Sequence, residues 1–142
     1  MEALSIVHAL REIHKLLKPS SFLIDIRPNG ELVEFIRPHG EEEFFIGHMH
    51  ETDDYIEYFQ AEAAMQKVLA EGLFKIEKAG EFTFQVHADS FLELKNFLDE
   101  NWSDSLITEE VIAEAKRLDD AHEVGKVILR ERVYIKLLLP VF

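Results

Sequence analysis

The sequence has no cysteine, only six glycines and four prolines, and no long apolar run. Without cysteine, the chain has no disulfide framework, thiolate zinc site or cysteine nucleophile. No segment approaches the roughly 18 consecutive apolar residues of a transmembrane helix, so no membrane span is expected. Residues Met1 to Leu4 lack the basic segment and apolar core of a signal peptide, which predicts a cytoplasmic protein.

Basic residues are also scarce relative to acidic ones. The chain has 28 Asp and Glu against 15 Lys and Arg, a formal net charge of -13 at pH 7. A field of this sign repels phosphate groups, so we expect neither nucleic-acid nor membrane partners. The length of 142 residues, with 47% hydrophobic and 30% charged, predicts a single globular domain over 1–142.

Hydrophobic periodicity predicts four helices and five strands. The helices are expected over about 3–18, over 55–71 after the start residues Asp53 and Asp54, from Ser90 to Trp102, and after Thr108. The strands are expected at 22–26, 32–36, 43–48, 81–87 and 126–138. We interpret the first as a buried strand, and Glu131, on the apolar face of the last, as a bulge or an exposed strand middle. Ser90 followed by Glu93 predicts a capping box.

The order of these elements predicts an α+β fold, a mixed β-sheet with helices packed on it. Pro28-Asn29-Gly30 has the chemistry of a tight turn. It therefore predicts that residues 22–36 form a hairpin.

The segment from His8 to Pro19, followed by Phe22 to Ile26, carries a family resemblance. It resembles the helix, Lys-Pro turn and fifth strand of class I S-adenosylmethionine-dependent methyltransferases, where A-L-x-E-x-x-x-L-L-K-P-G-G leads into an apolar strand. Ser20 and Ser21 stand here in place of the glycine pair. The match covers about twenty residues.

Element order extends the resemblance toward the carboxyl terminus. The helix at 54–71 would be the next family helix, and the strands at 81–87 and 126–138 would be its sixth and seventh strands. The resemblance thus implies the carboxyl-terminal half of a Rossmann-like, α/β-derived fold, with the last strand antiparallel between the fifth and sixth. The hairpin at 22–48 would be an insertion.

The glycine-rich cofactor loop of that family has no counterpart here. None of the six glycines forms a G-x-G, and none follows a strand and opens a helix. The chain is expected to begin where the cofactor-binding half ends. We therefore predict no catalytic, cofactor-binding or metal residue. S-adenosylmethionine is expected only if a partner chain supplies the binding half.

The sequence carries a surplus of large apolar residues for a truncated fold, including eleven phenylalanines. Such a surface normally marks an interface, which predicts a homodimer. The first hypothesis is a non-catalytic homodimeric interaction or regulatory protein. The second is the substrate-side half of a split methyltransferase that another chain completes.

A third hypothesis is a metal site at His48-Met49-His50, with Glu51, Asp53 and Asp54 nearby. Imidazole and carboxylate are ligands for zinc, manganese or iron. The favoured alternative is a solvated strand end that leads into a helix whose first turn accommodates acids. Residues 39–52 are either a strand or a lid.

Two further groups of residues receive structural interpretations. His87, Asp89 and Ser90 stand close together, but Asp89 and Ser90 are better explained as helix-start residues than as a triad. Arg130, Arg132 and Lys136 form a basic row, which we expect to pair with acidic residues of a neighbouring strand or a second subunit.

Overall fold

The computed structural model describes residues 3–52 and 56–142. Within these ranges the chain has an α+β fold, as predicted, in which four helices pack on a six-stranded antiparallel sheet. The elements in chain order are α1 (Ala3–Leu16), β1 (Leu23–Pro28), β2 (Val33–His39), β3 (Glu42–Glu51), α2 (Ile56–Ala70), β4 (Phe74–Ala88), α3 (Phe91–Asn101), β5 (Ser105–Leu106), α4 (Glu109–His122) and β6 (Val127–Pro140). None of the helices in the described ranges combines the length and the hydrophobicity needed to cross a membrane.

The long final strand β6 organises the sheet, whose strand order is β1-β6-β2-β3-β5, with β4 also paired to β6. Residues Leu23–Pro28 pair antiparallel with Val133–Leu138, and Glu34–Ile36 pair antiparallel with Ile128–Arg130. The predicted hairpin over 22–36 is therefore wrong, because β6 takes the place beside β1 that the hairpin assigned to β2. The hairpin that forms joins β2 to β3.

The first of two compact units comprises the described parts of Met1–Gly30 and Tyr55–Phe82 together with Val133–Phe142. Helices α1 and α2 pack together in this unit. Its core consists of Val7, Leu10, Ala64, Met65, Val68, Phe74 and Leu138, with Leu23 packed against it. The predicted helix-start residues Asp53 and Asp54 lie outside the described residues.

The second unit comprises the described part of Glu31–Asp54 together with Thr83–Arg132. Its core joins α3 and α4 to β2, β3 and the first half of β6. The buried residues are Val33, Phe35, Ile46, Met49, Phe91, Leu94, Leu98, Val111, Ala115, Leu118, Val127 and Leu129.

Side-chain caps begin both helices of the second unit. The Ser90 hydroxyl accepts a hydrogen bond from the Glu93 amide at 3.1 Å, as the capping box predicts. The Glu93 carboxylate accepts in return from the amide of Asp89, at 3.0 Å, one residue before the expected position. The Thr108 hydroxyl accepts from the Val111 amide at 3.3 Å.

Arg37 of β2 is the charged side chain that the structure buries among the described residues, with 5% of its surface exposed. Its Nη1 donates to the Asp119 carboxylate, and its Nη2 donates to the Glu123 carbonyl. Both acceptors lie at the carboxyl end of α4, where the helix dipole favours a cation. Arg37 thus fastens the end of α4 to β2.

Candidate functional site

In the first unit, helices α1 and α2 cover one side of strand β1, and the other side of the strand is exposed. Leu23 packs against the α1–α2 core, and Arg27 donates to Glu62 of α2 at 3.0 Å. Alternate residues of a strand point to opposite faces, so Ile24 and Ile26 point away from these helices. Ile24 is 49% exposed, and Ile26 is 56% exposed.

The uncovered side continues across the β1–β6 pair. Ile24 lies opposite Leu137, and Ile26 lies opposite Ile135. Phe22, the residue before β1, is also 56% exposed. We call Phe22, Ile24, Ile26, Ile135 and Leu137 the apolar face. The interpretation of 22–26 as a buried strand is wrong, because Ile24 and Ile26 are about half exposed on the side of β1 that α1 and α2 do not cover.

Strand β1 is also an edge of the sheet. It stands at the end of the strand order, and among the described strands it pairs with β6 alone. An edge strand presents backbone N–H and C=O groups that a further strand could pair with. Ile24 and Ile26 of the apolar face therefore lie on this edge strand.

The covered side of β1 holds a half-buried ionic cluster. Arg27 Nε donates to Asp25 at 2.8 Å, while its Nη1 is buried without a hydrogen-bonding partner. Burial opposes the positive charge, but Asp25 and Glu62 outweigh that cost and raise the pKa of Arg27. The cluster holds the Arg27 side chain against α2.

The second unit contains the histidines of the metal hypothesis. His48 and His50 lie on β3 and line an open cavity of about 470 Å³ with Glu110 and Glu114 of α4. Nδ1 of His48 is buried without a hydrogen-bonding partner. Within 3–52 and 56–142, no three His, Asp or Glu side chains are grouped so as to hold a metal ion.

The segment 39–52 is a strand over most of its length, since β3 spans Glu42–Glu51. This agrees with the strand alternative rather than the lid. Glu51 belongs to β3, whereas Asp53 and Asp54 lie outside the described residues.

The two remaining groups from the sequence, the one at 87–90 and the basic row of β6, have structural roles. Ser90 caps α3, and His87 contacts the Gln85 side chain at 3.1 Å, so the structure favours the helix-start interpretation. Arg130 forms an ion pair with Glu43 of β3, whose pKa is lowered by that hydrogen bond. Arg132 lies 3.7 Å from Glu31. The predicted pairing with an acidic residue of another strand is therefore confirmed for Arg130, whereas Glu31, the neighbour of Arg132, precedes β2.

Sequence reasoning missed the exposure of Ile24 and Ile26, and no local pattern could have revealed it. A short apolar run has the same sequence pattern whether one face or both faces of its strand are covered by other elements. Comparisons with protein families, curated proteins and solved structures gave no match to this chain.

Proposed function

We propose that this chain is a non-catalytic interaction or regulatory domain that forms a homodimer through β1. We also propose that it is related to the carboxyl-terminal half of class I methyltransferases. The observation that carries the proposal is that the exposed residues Ile24 and Ile26 of the apolar face lie on the edge strand β1. Exposed apolar area and unpaired backbone groups on one element both favour association with another chain.

A second copy fits this edge when the two β1 strands run antiparallel about a two-fold axis at Ile26. Same-face residues must lie opposite each other, which restricts the possible registers. In this register Asp25 lies opposite Arg27 of the second copy, and opposite charges across a strand pair are stabilising. A register centred on Asp25 would instead place two carboxylates together. Charge complementarity therefore favours a second copy of the chain.

The net charge sets the salt dependence of such a dimer. Two chains of charge -13 repel each other, although the apolar face itself carries no charged side chain. Salt screens this repulsion over distances of about 10 Å at 0.1 M. The dimer should therefore become tighter as the salt concentration rises.

Replacing Ile26 by lysine tests the proposal, because it places two ammonium groups side by side at the two-fold axis. Sedimentation should show a dimer for the wild-type chain and a dissociation constant at least tenfold weaker for Ile26→Lys. Leu92 of α3, which is 65% exposed, provides the matched control. Leu92→Lys should leave the dimer unchanged. A monomeric wild-type chain, or equal association of all three proteins, would refute the proposal.

A second candidate is the substrate-side half of a split methyltransferase. The observation that favours it is that β6 pairs with both β1 and β4, antiparallel to β1. The methyltransferase resemblance implies these neighbours for its seventh strand. In this case the partner's strand would occupy the edge of β1, and the partner would carry the glycine-rich loop.

Calorimetry with S-adenosylmethionine separates the two candidates. The split enzyme predicts no binding to this chain alone and binding to its mixture with a loop-carrying chain. It also predicts that Ile26→Lys abolishes binding in the mixture. If the mixture binds no cofactor while the chain sediments as a dimer, the homodimer stands and the split enzyme is excluded.

A further inference from the structure

His39 and His122 come together in the second unit although 82 residues separate them in the sequence. His39 ends β2, and His122 ends α4. Their ring centroids are 5.0 Å apart, with an interplanar angle of 53°. The geometry points to a two-imidazole site for a divalent transition metal such as Zn²⁺, distinct from the proposed dimer surface.

The spacing of the two rings suits one shared ion. A zinc–nitrogen bond is about 2.0–2.1 Å, and the ring centre lies about 1.2 Å beyond the nitrogen. Two imidazoles at a tetrahedral angle on one ion then have centroids about 5 Å apart. The observed separation of the ring centroids therefore matches that of two imidazoles on one shared ion.

Both imidazoles are available to a ligand. The two side chains are exposed. Phe44 contacts both rings, at centroid distances of 5.0 Å to His39 and 5.2 Å to His122. Phe44 thus gives both rings an apolar support and contributes no competing polar group.

The backbone that carries the two histidines is fixed by Arg37. This side chain lies two residues before His39, and it donates to Asp119 and to the Glu123 carbonyl on either side of His122. A pre-positioned pair of ligands binds more tightly than a flexible one, because less conformational entropy is lost. Arg37 is therefore a positioning residue for the proposed site.

The chemistry of the site sets its selectivity. Two neutral imidazoles favour Cu²⁺, Ni²⁺ and Zn²⁺ over Mn²⁺, Mg²⁺ and Ca²⁺, with Cu²⁺ bound most tightly. Water fills the remaining positions of the ion, since no third His, Asp or Glu of the described residues completes the site. The net charge of -13 raises the local concentration of any divalent cation.

Calorimetry with Zn²⁺ on the tag-free chain tests the proposal, combined with NMR spectra of the ¹⁵N-labelled imidazoles. His39→Phe and His122→Phe each remove a ligand but retain an aromatic ring beside Phe44. We expect one Zn²⁺ per chain, at least tenfold weaker binding in each variant, and Zn²⁺-dependent shifts of the His39 and His122 nitrogens. Mg²⁺ should produce neither heat nor shifts.

Two control variants locate the ion. His8→Phe replaces an exposed histidine of α1 and should leave the affinity unchanged. His50→Phe tests the cavity beside His48 and should also leave it unchanged. The proposal is overturned if Zn²⁺ does not bind, if His50→Phe abolishes binding, or if His39→Phe and His122→Phe bind as the wild type does. Circular dichroism confirms that each variant is folded.

Discussion

Replacing Arg37 by methionine should destabilise the second unit strongly, because it breaks a buried ion pair on one side only. The guanidinium group is almost fully buried, whereas the Asp119 side chain retains 23% exposure. Removing one partner of a buried pair lowers the free energy of unfolding by about 3–5 kcal/mol. Because water can partly solvate the Asp119 carboxylate once it is unpaired, we expect a loss of about 2–3 kcal/mol for Arg37→Met. For a chain of this length, that loss lowers the melting temperature by about 6–10 °C.

Thermal unfolding followed by circular dichroism measures this effect against a matched control. Arg117 is paired with Glu114 on the surface of α4 and is 64% exposed, so Arg117→Met should move the melting temperature by no more than about 1 °C. The double variant Arg37→Met, Asp119→Leu should be more stable than Arg37→Met alone, since it leaves no buried charge unpaired. Equal decreases in melting temperature for Arg37→Met and Arg117→Met would refute the reasoning. It would also be refuted if the decrease in the double variant equalled the sum of the decreases in Arg37→Met and Asp119→Leu.

The remaining stability predictions concern one carboxylate and two glycines. Burial raises the pKa of Glu131 above its unfolded value. Stability is therefore lost progressively as the pH rises from the unfolded pKa to the raised pKa, and the full cost is present above the raised pKa. Glu131→Gln should therefore raise the free energy of unfolding at pH 7 by about 1 kcal/mol or less. In denaturant titrations this gain in stability should vanish below pH 4. A gain in stability that persists at pH 3 would contradict the prediction. Gly30 has φ 87°, and an added Cβ would lie 2.8 Å from the Tyr58 ring, whereas Gly40, with φ 62°, faces open space. In urea denaturation, Gly30→Ala should lower the free energy of unfolding by about 1–2 kcal/mol more than Gly40→Ala does. Equal decreases in the two variants would exclude the contact with Tyr58.

Features set by local interactions could be predicted from the sequence. The caps at Ser90 and Thr108 depend on side chains three residues or fewer from the amides they satisfy. Strand β4 was only half predicted, as 81–87 of Phe74–Ala88. In its first half, Phe74 to Glu77 alternate apolar and polar residues, but Lys78 and Gly80 then interrupt the pattern.

Features that depend on distant pairing do not follow from local patterns. The pairing of β1 with β6 joins segments more than 100 residues apart. The family resemblance implies this pairing, whereas the turn at Pro28-Asn29-Gly30 favours a local hairpin. The contacts of Arg37 with Asp119, and of His39 with His122, likewise link the two ends of the second unit. Periodicity indicates which face of an element is apolar, but it does not indicate which element covers that face.

The most direct measurement of the proposed dimer is cross-linking of a single introduced cysteine, since the native chain contains none. Across the axis, two Ile26→Cys residues would have Cα atoms about 4.5–5.5 Å apart, within the range of a disulfide. Two Ile24→Cys residues would be displaced by about 14 Å along the strands. Mild oxidation should convert Ile26→Cys into a covalent dimer and leave Ile24→Cys monomeric in denaturing electrophoresis. Equal cross-linking at both positions, or none at Ile26, would contradict the proposed interface.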